Sequence, residues 1–183
     1  QYDLQPVCTS FYRTCEKFPS RPAQRFNADL YHGDNNGRFT YAEMRERVEE
    51  IACGLLSLGL SRQERVGIMS SPGPYWTHAD MAVAGCAGVS VALHPTLPEG
   101  DISFILSDSG SRMVFVDTEE NLGKILSRAA ELPDLRKIVV MDVFYRSPDE
   151  RTMGLGELIE EGRKWKKGNA SIYDERRASV TLD

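Results

Sequence analysis

The sequence lacks the features of a membrane-spanning or secreted chain and those of a chain stabilised by a bound metal or by disulfides. Its longest stretch without Lys, Arg, Asp or Glu, residues 81–98, is interrupted by glycines, prolines and polar residues, so it predicts a helix, a turn and a buried strand. The first twenty residues contain no apolar signal-peptide core. The 4 cysteines lie far apart, without a C-x-x-C pair or a Cys/His cluster, which favours reduced thiols in a cytosolic protein over a zinc site or disulfide framework.

An excess of positive charge is absent as well. The chain has 22 Lys and Arg against 27 Asp and Glu, a net charge of −5, which argues against binding to a nucleic-acid backbone. Its 41% hydrophobic and 27% charged residues are typical of a soluble globular protein. A length of 183 residues suits one compact domain or a large fragment of a bigger one.

The first regular pattern is a short hairpin followed by an amphipathic helix. Residues 28–32 and 38–41 flank a turn-rich segment, 33–37, which predicts two antiparallel strands. A helix then begins at the capping-box sequence Thr40-x-x-Glu43 and ends near Gly59. Its apolar face is predicted to comprise Tyr41, Met44, Val48, Ile51, Ala52, Leu55 and Leu58. Its solvent face is predicted to comprise Glu43, Glu46, Arg47, Glu49 and Glu50.

Beyond residue 64 short apolar strands alternate with helices. The predicted strands are 65–70, 89–93, 112–116 and 137–141, and the predicted helices are 74–87, 98–107 and 119–131. Apolar runs separated by helices are typical of a parallel sheet covered on both faces. Right-handed crossovers then favour a doubly wound arrangement. The predicted fold class is α/β, a mainly parallel doubly wound sheet with helices on both faces, preceded by the hairpin and the amphipathic helix.

The pattern loosens after residue 141. One amphipathic helix is predicted over residues 154–167, whereas residues 169–183 show neither a cap nor a strong period. The basic cluster at 163–167 follows Glu160 and Glu161 at pairing distance, so it is interpreted as a solvated helix face rather than an anion site.

The residues alone do not make a complete active site. Residues 70–74 join a strand to a helix, where doubly wound folds often bind phosphate. This loop matches neither glycine-rich phosphate motif, and its two prolines lack N–H donors, which favours an ordinary turn. Asp117 and Asp142 each follow a predicted strand. The acidic pair that a receiver needs after its first strand and the acid that a dinucleotide site needs after its second strand are both missing. They are interpreted as helix caps or loop residues.

The three histidines, His32, His78 and His94, stand apart from any nucleophile motif and are interpreted as packing or surface residues. His94 is the least ordinary, because it ends a strand at the edge where α/β folds bind ligands. We therefore place His94 and the nearby Thr96 in the vicinity of a substrate pocket. No catalytic, cofactor-binding or metal-binding residue is assigned.

Several segments, in their order, resemble the start of the adenylate-forming acyl-CoA synthetases. They read RPAQRF, GRFTYAEMRERVEEIACGLLSLGL, ERVGIMSSPGPYWTHADMAVAGCAGVSVALHPTLP and ISFILSDSGSRMVFV. The stretch HPTLPEGDISFILSDSGSRMVFVDTEENLGKIL, with ELPDLRKIVVMD after it, resembles the long-chain fatty acid ligase branch. No single motif is diagnostic, but the ordered set is specific and spans residues 9–183.

The resemblance implies a two-step ligase reaction. In this family a fatty acid carboxylate attacks the α-phosphate of ATP, with magnesium present, and coenzyme A thiol then displaces AMP. The family's Ser/Thr/Gly-rich phosphate loop, its later ATP and hinge motifs and its C-terminal lysine are absent from this sequence. The chain is therefore expected to be an N-terminal fragment that is inactive alone, with ATP, Mg and CoA used by the full-length enzyme and none bound to this fragment.

On that interpretation the chain divides into residues 1–64 (hairpin and first helix), 65–141 (α/β core) and 142–183 (an extension towards the missing ATP motif). The expected partner is a fatty acid, and the expected location is the cytoplasm and, for the complete enzyme, a membrane surface. Apolar surface meant for later subdomains predicts a homodimer or other self-association. Two alternatives stay open: a stand-alone α/β binding module of the nucleotide-binding or receiver kind, and an oligomerisation module without catalysis.

Overall fold

The computed structural model describes residues 4–32, 34–147 and 149–182. Its helices are α1 (Val7–Lys17), α2 (Tyr41–Ser57), α3 (Pro74–Gly85), α4 (Glu99–Asp108), α5 (Glu119–Ser127) and α6 (Leu155–Ala178). Its strands are β1 (Pro22–Arg25), β2 (Arg38–Thr40), β3 (Arg65–Met69), β4 (Val89–Leu93), β5 (Met113–Val116), β6 (Lys137–Val140) and β7 (Thr152–Gly154). Short 3₁₀ turns cover Ala28–Tyr31, Asp34–Gly37 and Ala129–Glu131.

The central sheet has five parallel strands in the order β4-β3-β5-β6-β7. The four strands predicted from the sequence are confirmed to within one residue at each end. β7 was not predicted, because Thr-Met-Gly offers no apolar run. The prediction that residues 89–93 are buried is wrong for Val89 and Ala92, which are exposed because β4 lies at the edge of the sheet.

Alternate side chains of the strands pack into two apolar layers. One layer joins α1, α2, α3 and α6 to Val66, Ile68, Phe115 and Val139. The other joins α4 and α5 to Met69, Val114, Val116, Ile138 and Val140. Helices therefore cover both faces, and the predicted α/β class with a parallel, doubly wound sheet is confirmed.

The hairpin before α2 is present, but its first strand lies earlier in the chain than predicted. β1 pairs antiparallel with β2, with Pro22 opposite Thr40 and Arg25 opposite Arg38. The prediction of a strand at 28–32 is wrong, because residues 28–31 form a 3₁₀ turn. The Asn27 side chain starts that turn by accepting the Asp29 N–H at 3.1 Å.

The link between the two strands is a sequence of tight turns. His32, Asn35 and Asn36 all have positive φ, at 53°, 47° and 54°. Asn tolerates the left-handed region better than most residues, so this local turn chemistry displaces the strand that the sequence pattern indicated. Of the predicted turn 33–37, residue 33 lies outside the described residues.

α2 begins and ends as predicted. Thr40 Oγ1 accepts the Glu43 N–H at 3.3 Å, and Glu43 Oε2 accepts the Thr40 N–H at 2.8 Å, which completes the capping box. Gly59 follows the helix with φ 83°. The assignment of Glu50 to the solvent face is wrong, because its side chain is only 5% exposed.

α6 is longer than predicted and covers α2. It continues past residue 167 to Ala178, with non-helical dihedrals only at Asn169. Its second half is anchored by Tyr173, which is 2% exposed and whose Oη lies 2.5 Å from the Tyr12 Oη. Residues 169–178, for which the sequence showed neither a cap nor a strong period, therefore continue the helix, and residue 183 lies outside the described residues.

The basic cluster at 163–167 is only partly a solvated face. Arg163 Nε donates to Glu50 Oε1 at 2.5 Å, and Lys166 Nζ donates to Glu49 Oε2 at 2.5 Å. Only Lys164 makes the predicted pair within its own helix, with Glu161 Oε1 at 3.1 Å. Two of the basic side chains therefore join α6 to α2.

α1 was not predicted from the sequence. Its buried residues Cys8, Tyr12 and Cys15 share one helical face, and all four cysteines of the chain are buried free thiols. Because this stripe is short and partly made of cysteine, it gives a weak periodic signal. Within the described ranges, none of the helices is both long and apolar enough to cross a bilayer.

Two glycines let α2 and α6 approach closely. A Cβ at Gly162 would lie 1.8 Å from the Glu50 carbonyl oxygen, and a Cβ at Gly54 would lie 2.5 Å from the Leu158 carbonyl oxygen. Since backbone atoms cannot move away as a flexible side chain can, glycine at these positions sets the distance between the helices.

We expect Gly162→Ala to lower the free energy of unfolding by roughly 1–3 kcal/mol, because the added methyl group overlaps the backbone of α2. Gly168→Ala in the same helix is the matched control, because no atom lies within 4 Å of its added Cβ. It should raise stability by up to about 1 kcal/mol through helix propensity. Urea denaturation of both variants measures the difference, and equal stabilities would contradict the close packing.

His78 lies in the apolar layer beneath the hairpin. It is 0% exposed, its ring meets the Phe39 ring edge-on at 4.8 Å, and its Nε2 lies 2.8 Å from Gln24 Oε1. Its Nδ1 has no hydrogen-bond partner among the described residues. Burial lowers the pKa of His78 to about 3, and the charge of Arg47 acts in the same direction. The folded state therefore holds a neutral imidazole.

This histidine should make the chain sensitive to acid. Because the unfolded chain takes up the proton near pH 6.5 and the folded chain only near pH 3, stability is lost as the pH falls between these values. Between pH 7.5 and 5.0 the parent chain should lose about 2 kcal/mol more than His78→Gln. Urea denaturation at both pH values tests this, with His94→Gln, which removes an exposed imidazole, as the control. An identical pH dependence in parent and His78→Gln would refute it.

Candidate functional site

A pocket opens where β3, β5 and β6 end. From β3 the chain runs to β4, on one side of β3, and then crosses back past β3 to β5, on its other side. The connections that leave the carboxyl ends of β3 and β5 therefore diverge. Ligands of doubly wound sheets bind in the crevice that such a reversal creates at the carboxyl ends of the strands. The cavity at this position has a volume of about 120 Å³.

The lining combines polar groups with aromatic and apolar ones. The polar side chains are His32, Ser70, Ser71, Asp117 and Asp142. The aromatic and apolar side chains are Leu30, Tyr31, Tyr75, Trp76 and Met141. The residues come from the 3₁₀ turn after the hairpin strand β1, from the loop after β3, from α3 and from the ends of β5 and β6.

Tyr31 forms one wall of the pocket by packing on Gly73. A Cβ at Gly73 would lie 2.1 Å from the Tyr31 Oη, so only glycine leaves room for this phenol. The Tyr31 and Tyr75 rings meet edge-on, with centroids 5.1 Å apart. Burial raises the pKa of Tyr31, and the nearby Asp117 carboxylate raises it further.

Asp117 joins the loop after β3 to the end of β5. Its Oδ2 accepts the Ser71 N–H at 2.9 Å, and its Oδ1 accepts from the Asn121 side-chain amide at 2.8 Å. The cap of α5 is the next residue, Thr118, whose Oγ1 accepts the Asn121 N–H at 3.1 Å. Asp117 is therefore a loop residue, as predicted, but a half-buried one whose carboxylate is hydrogen-bonded on both oxygens, and it is not the cap of α5.

Asp142 and His32 meet at the opposite side of the pocket. His32 Nε2 lies 3.1 Å from Asp142 Oδ2, and Asp142 Oδ1 accepts the Phe144 N–H at 2.8 Å. The sequence did not indicate that His32 reaches this site, because it comes from a turn more than 30 residues before β3. The same reason hid Tyr31, and Trp76 was treated only as part of a helix.

The residues of this pocket do not fit a triphosphate. The Ser71 N–H is already used by Asp117, and Pro72 and Pro74 have no N–H to offer. Two carboxylates line the cavity and would repel an anion. Among the described residues, no three His, Cys, Asp or Glu side chains come together in a way that could hold a metal ion. A small apolar or aromatic group fits this lining better.

His94 and Thr96 are not among the residues that line this pocket. His94 follows β4, is exposed, and its Nδ1 lies 2.7 Å from Thr96 Oγ1 and accepts the Thr96 N–H at 3.3 Å. The loop that holds them is tied to α5, because Lys124 Nζ donates to the Pro95 carbonyl oxygen at 3.2 Å. His78, as described above, is buried in the core.

Comparison with known sequences gives a consistent match. A family model described as AMP-binding enzyme matches residues 11–168. The long-chain-fatty-acid–CoA ligase ACSBG1 of Rattus norvegicus is 27% identical over 173 residues, covering 88% of this chain and 23% of that protein. A non-canonical nonribosomal peptide synthetase of Aspergillus campestris is 31% identical over 119 residues, 65% of this chain. The chain thus spans about a quarter of the length of the rat relative.

Comparison with solved structures identifies the same fold. An anthranilate CoA ligase in complex with anthranoyl-AMP superposes with a TM-score of 0.74 at 19% identity, covering 87% of this chain and 29% of that one. A putative long-chain-fatty-acid CoA ligase from Rhodopseudomonas palustris gives 0.68 at 21% identity, covering 86% and 36%. The chain therefore resembles the N-terminal part of acyl-CoA ligases and adenylating enzymes.

Proposed function

The chain belongs to the AMP-binding enzyme family, and from that premise we propose that it is the N-terminal part of a long-chain fatty acid–CoA ligase. In the proposed reaction the fatty acid is first joined to AMP, with release of pyrophosphate from ATP, and is then transferred to coenzyme A. The family match over residues 11–168 carries the proposal. The fatty acid as substrate is supported by the name of the rat relative and by the similar segments described above.

Within this proposal the pocket at the ends of β3, β5 and β6 receives the apolar part of the acid. Asp117 and Asp142 disfavour a carboxylate in the cavity, whereas the rings of Tyr31 and Trp76 and the side chain of Met141 favour hydrocarbon. The carboxylate end would then face out of the pocket, where the nucleotide must also lie. We propose that His94 and Thr96 border the site from the end of β4.

The remaining parts of the reaction are assigned outside these 183 residues. Since the pocket does not fit a triphosphate, we propose that other segments of the enzyme hold ATP, Mg²⁺ and coenzyme A. When bound there, Mg²⁺ would neutralise phosphate charge. The three proposed regions of the chain are residues 1–64, 65–141 and 142–183, of which the second carries the pocket's strands.

We expect the chain to bind a fatty acid without activating it. Decanoate should shift the NMR signal of the Trp76 indole N–H, because this side chain lines the pocket, and should leave that of Trp165 on α6 unchanged. Acetate is the control, because it carries the carboxylate without the hydrocarbon. A stand-alone module without this function would show no decanoate-specific shift of Trp76, which would contradict the proposal.

The same protein should release no pyrophosphate from ATP and palmitate above a buffer blank. The reason is that activation needs preorganised donors around the transferring phosphoryl group, and this pocket has none to spare. Heat-sensitive pyrophosphate release by the purified chain would overturn this part of the proposal.

We further propose that the chain self-associates as a homodimer through the carboxyl ends of its central strands. Leu30 and Phe144 beside the pocket are 73% and 66% exposed. Leaving apolar surface in water costs about 25 cal/mol per Å², so burying it between two copies is favourable. Light scattering over a concentration series should show a rise towards the dimer mass, and a 20.5 kDa monomer at every concentration would contradict it.

A further inference from the structure

A chain of polar contacts connects the ends of three neighbouring strands. Ser71, after β3, donates its N–H to Asp117 Oδ2 at 2.9 Å, and Asn121 donates its side-chain N–H to Asp117 Oδ1 at 2.8 Å. Lys124 Nζ donates to Asn121 Oδ1 at 3.0 Å and to the Pro95 carbonyl oxygen, after β4, at 3.2 Å. The contacts therefore run from the pocket loop to the loop of His94 and Thr96.

The hydrogen bonds in this chain of polar contacts are shielded from solvent. Asn121 is 5% exposed and the Lys124 side chain is 22% exposed, so water competes weakly for their hydrogen bonds. Asn121 and Lys124 lie three residues apart on α5, a spacing that puts side chains on one helix face. The N-cap contact from Thr118 to the Asn121 N–H fixes the start of that helix.

The two charged members of this chain of polar contacts can each play only one role, as hydrogen-bond acceptor or as donor. The carboxylate of Asp117 only accepts, and the ammonium of Lys124 only donates. Asn121 must therefore turn its oxygen to Lys124 and its nitrogen to Asp117, which is the orientation found. A reversed amide would place donor against donor and acceptor against acceptor. The arrangement thus specifies one conformation rather than several.

The loop after β3, which these polar contacts hold, has few hydrogen-bond donors of its own. Between β3 and α3 it contains Pro72 and Pro74, which lack an N–H, so the Ser71 N–H is one of its few donors. The same loop carries Gly73, against which Tyr31 packs to form the pocket wall. A change at Asp117 therefore has a direct route to the shape of the pocket.

We propose that Asp117, Asn121 and Lys124 are positioning residues, a relay that fixes the Ser71 loop and couples the pocket to the loop after β4. Its geometry is independent of the proposed function, but its use in shaping a fatty acid site rests on that function. Asp117 lines the pocket, whereas Asn121 and Lys124 do not and act on the fit of a ligand only through Asp117 and the two loops.

A pairwise exchange of side chains tests the relay. In Asp117→Asn alone, the new amide can still accept from Ser71, but its nitrogen then faces the nitrogen of Asn121. In Asn121→Asp alone, two carboxylates face each other at a separation that was 2.8 Å between donor and acceptor. The double variant D117N/N121D restores every contact, because the new carboxylate accepts from both the new amide and Lys124.

The readouts are the exchange rate of the Ser71 amide proton and the position of the Trp76 indole signal. Each single variant should speed exchange about tenfold to a hundredfold, the equivalent of losing a hydrogen bond to a charged group, and should shift the Trp76 signal. The double variant should return both towards the parent values. Asn121→Asp should also recover as the pH is lowered, since one of its two facing carboxyls then takes a proton.

Glu119→Gln is the matched control, because Glu119 lies in the first turn of the same helix, is exposed and carries the same charge as Asp117. It should change neither readout. If a single variant fails to fold, as judged by circular dichroism, Lys124→Met replaces it and should move the amide signals of Pro95's neighbours and of Ser71. Unchanged Ser71 and Trp76 signals in the single variants, or a double variant as perturbed as the singles, would overturn the relay.

The test separates the relay from the proposed function. Its readouts need no ligand, so rescue by D117N/N121D together with no decanoate response in the parent chain would support the relay and contradict the function. If decanoate does bind the parent chain, its affinity should fall about tenfold or more in the single variants and recover in the double variant. Normal decanoate affinity in single variants with a released Ser71 amide would contradict the role of the relay in shaping the pocket.

Discussion

The hydrogen bond from the Ser71 N–H to the Asp117 carboxylate ties the loop after β3 to the end of β5 at the candidate pocket. At this point the connections of β3 and β5 run to opposite sides of the sheet, while the two strands stay paired to their ends, where the Asp117 N–H donates to the Met69 carbonyl oxygen at 3.2 Å. The Asp117 side chain adds a second link, from the end of β5 to the loop beyond β3. The pocket wall at Gly73 and Tyr31, and through Asn121 and Lys124 the loop after β4, are positioned relative to it.

The same site is consistent with the proposal that these residues are one part of an activating enzyme. A carboxylate that occupies the loop's amide N–H leaves a pocket suited to hydrocarbon and unsuited to phosphate. Binding and positioning of an apolar group can therefore be separated from the chemistry on the nucleotide. Elsewhere in the fold, Gly54 and Gly162 allow α6 to pack closely on α2, and Glu50 and Arg163 pair across that contact.

Structural features that depend on residues close in sequence could be predicted, whereas features that depend on contacts between distant residues could not. The strands from residue 65 to 141 are local runs of apolar residues, and the Thr40–Glu43 capping box is four residues long, so both could be predicted. The pairing of β1 with β2, the short β7 and the burial of Glu50 depend on segments far away in sequence. The pocket itself was not predicted: Asp117 and Asp142 stood out as strand-end acids but were interpreted as caps or loop residues, and Tyr31 and His32 had no local signal.

The central claim is that Asp117 bonds the Ser71 amide and so fixes the pocket loop. The most direct measurement is the scalar coupling through that hydrogen bond, between the Ser71 amide nitrogen and the carboxyl carbon of Asp117, by NMR on labelled protein. Our account predicts a detectable coupling at neutral pH, in the absence of any ligand. A Ser71 amide with no coupling to Asp117 and with the exchange rate of an unprotected loop proton would contradict it.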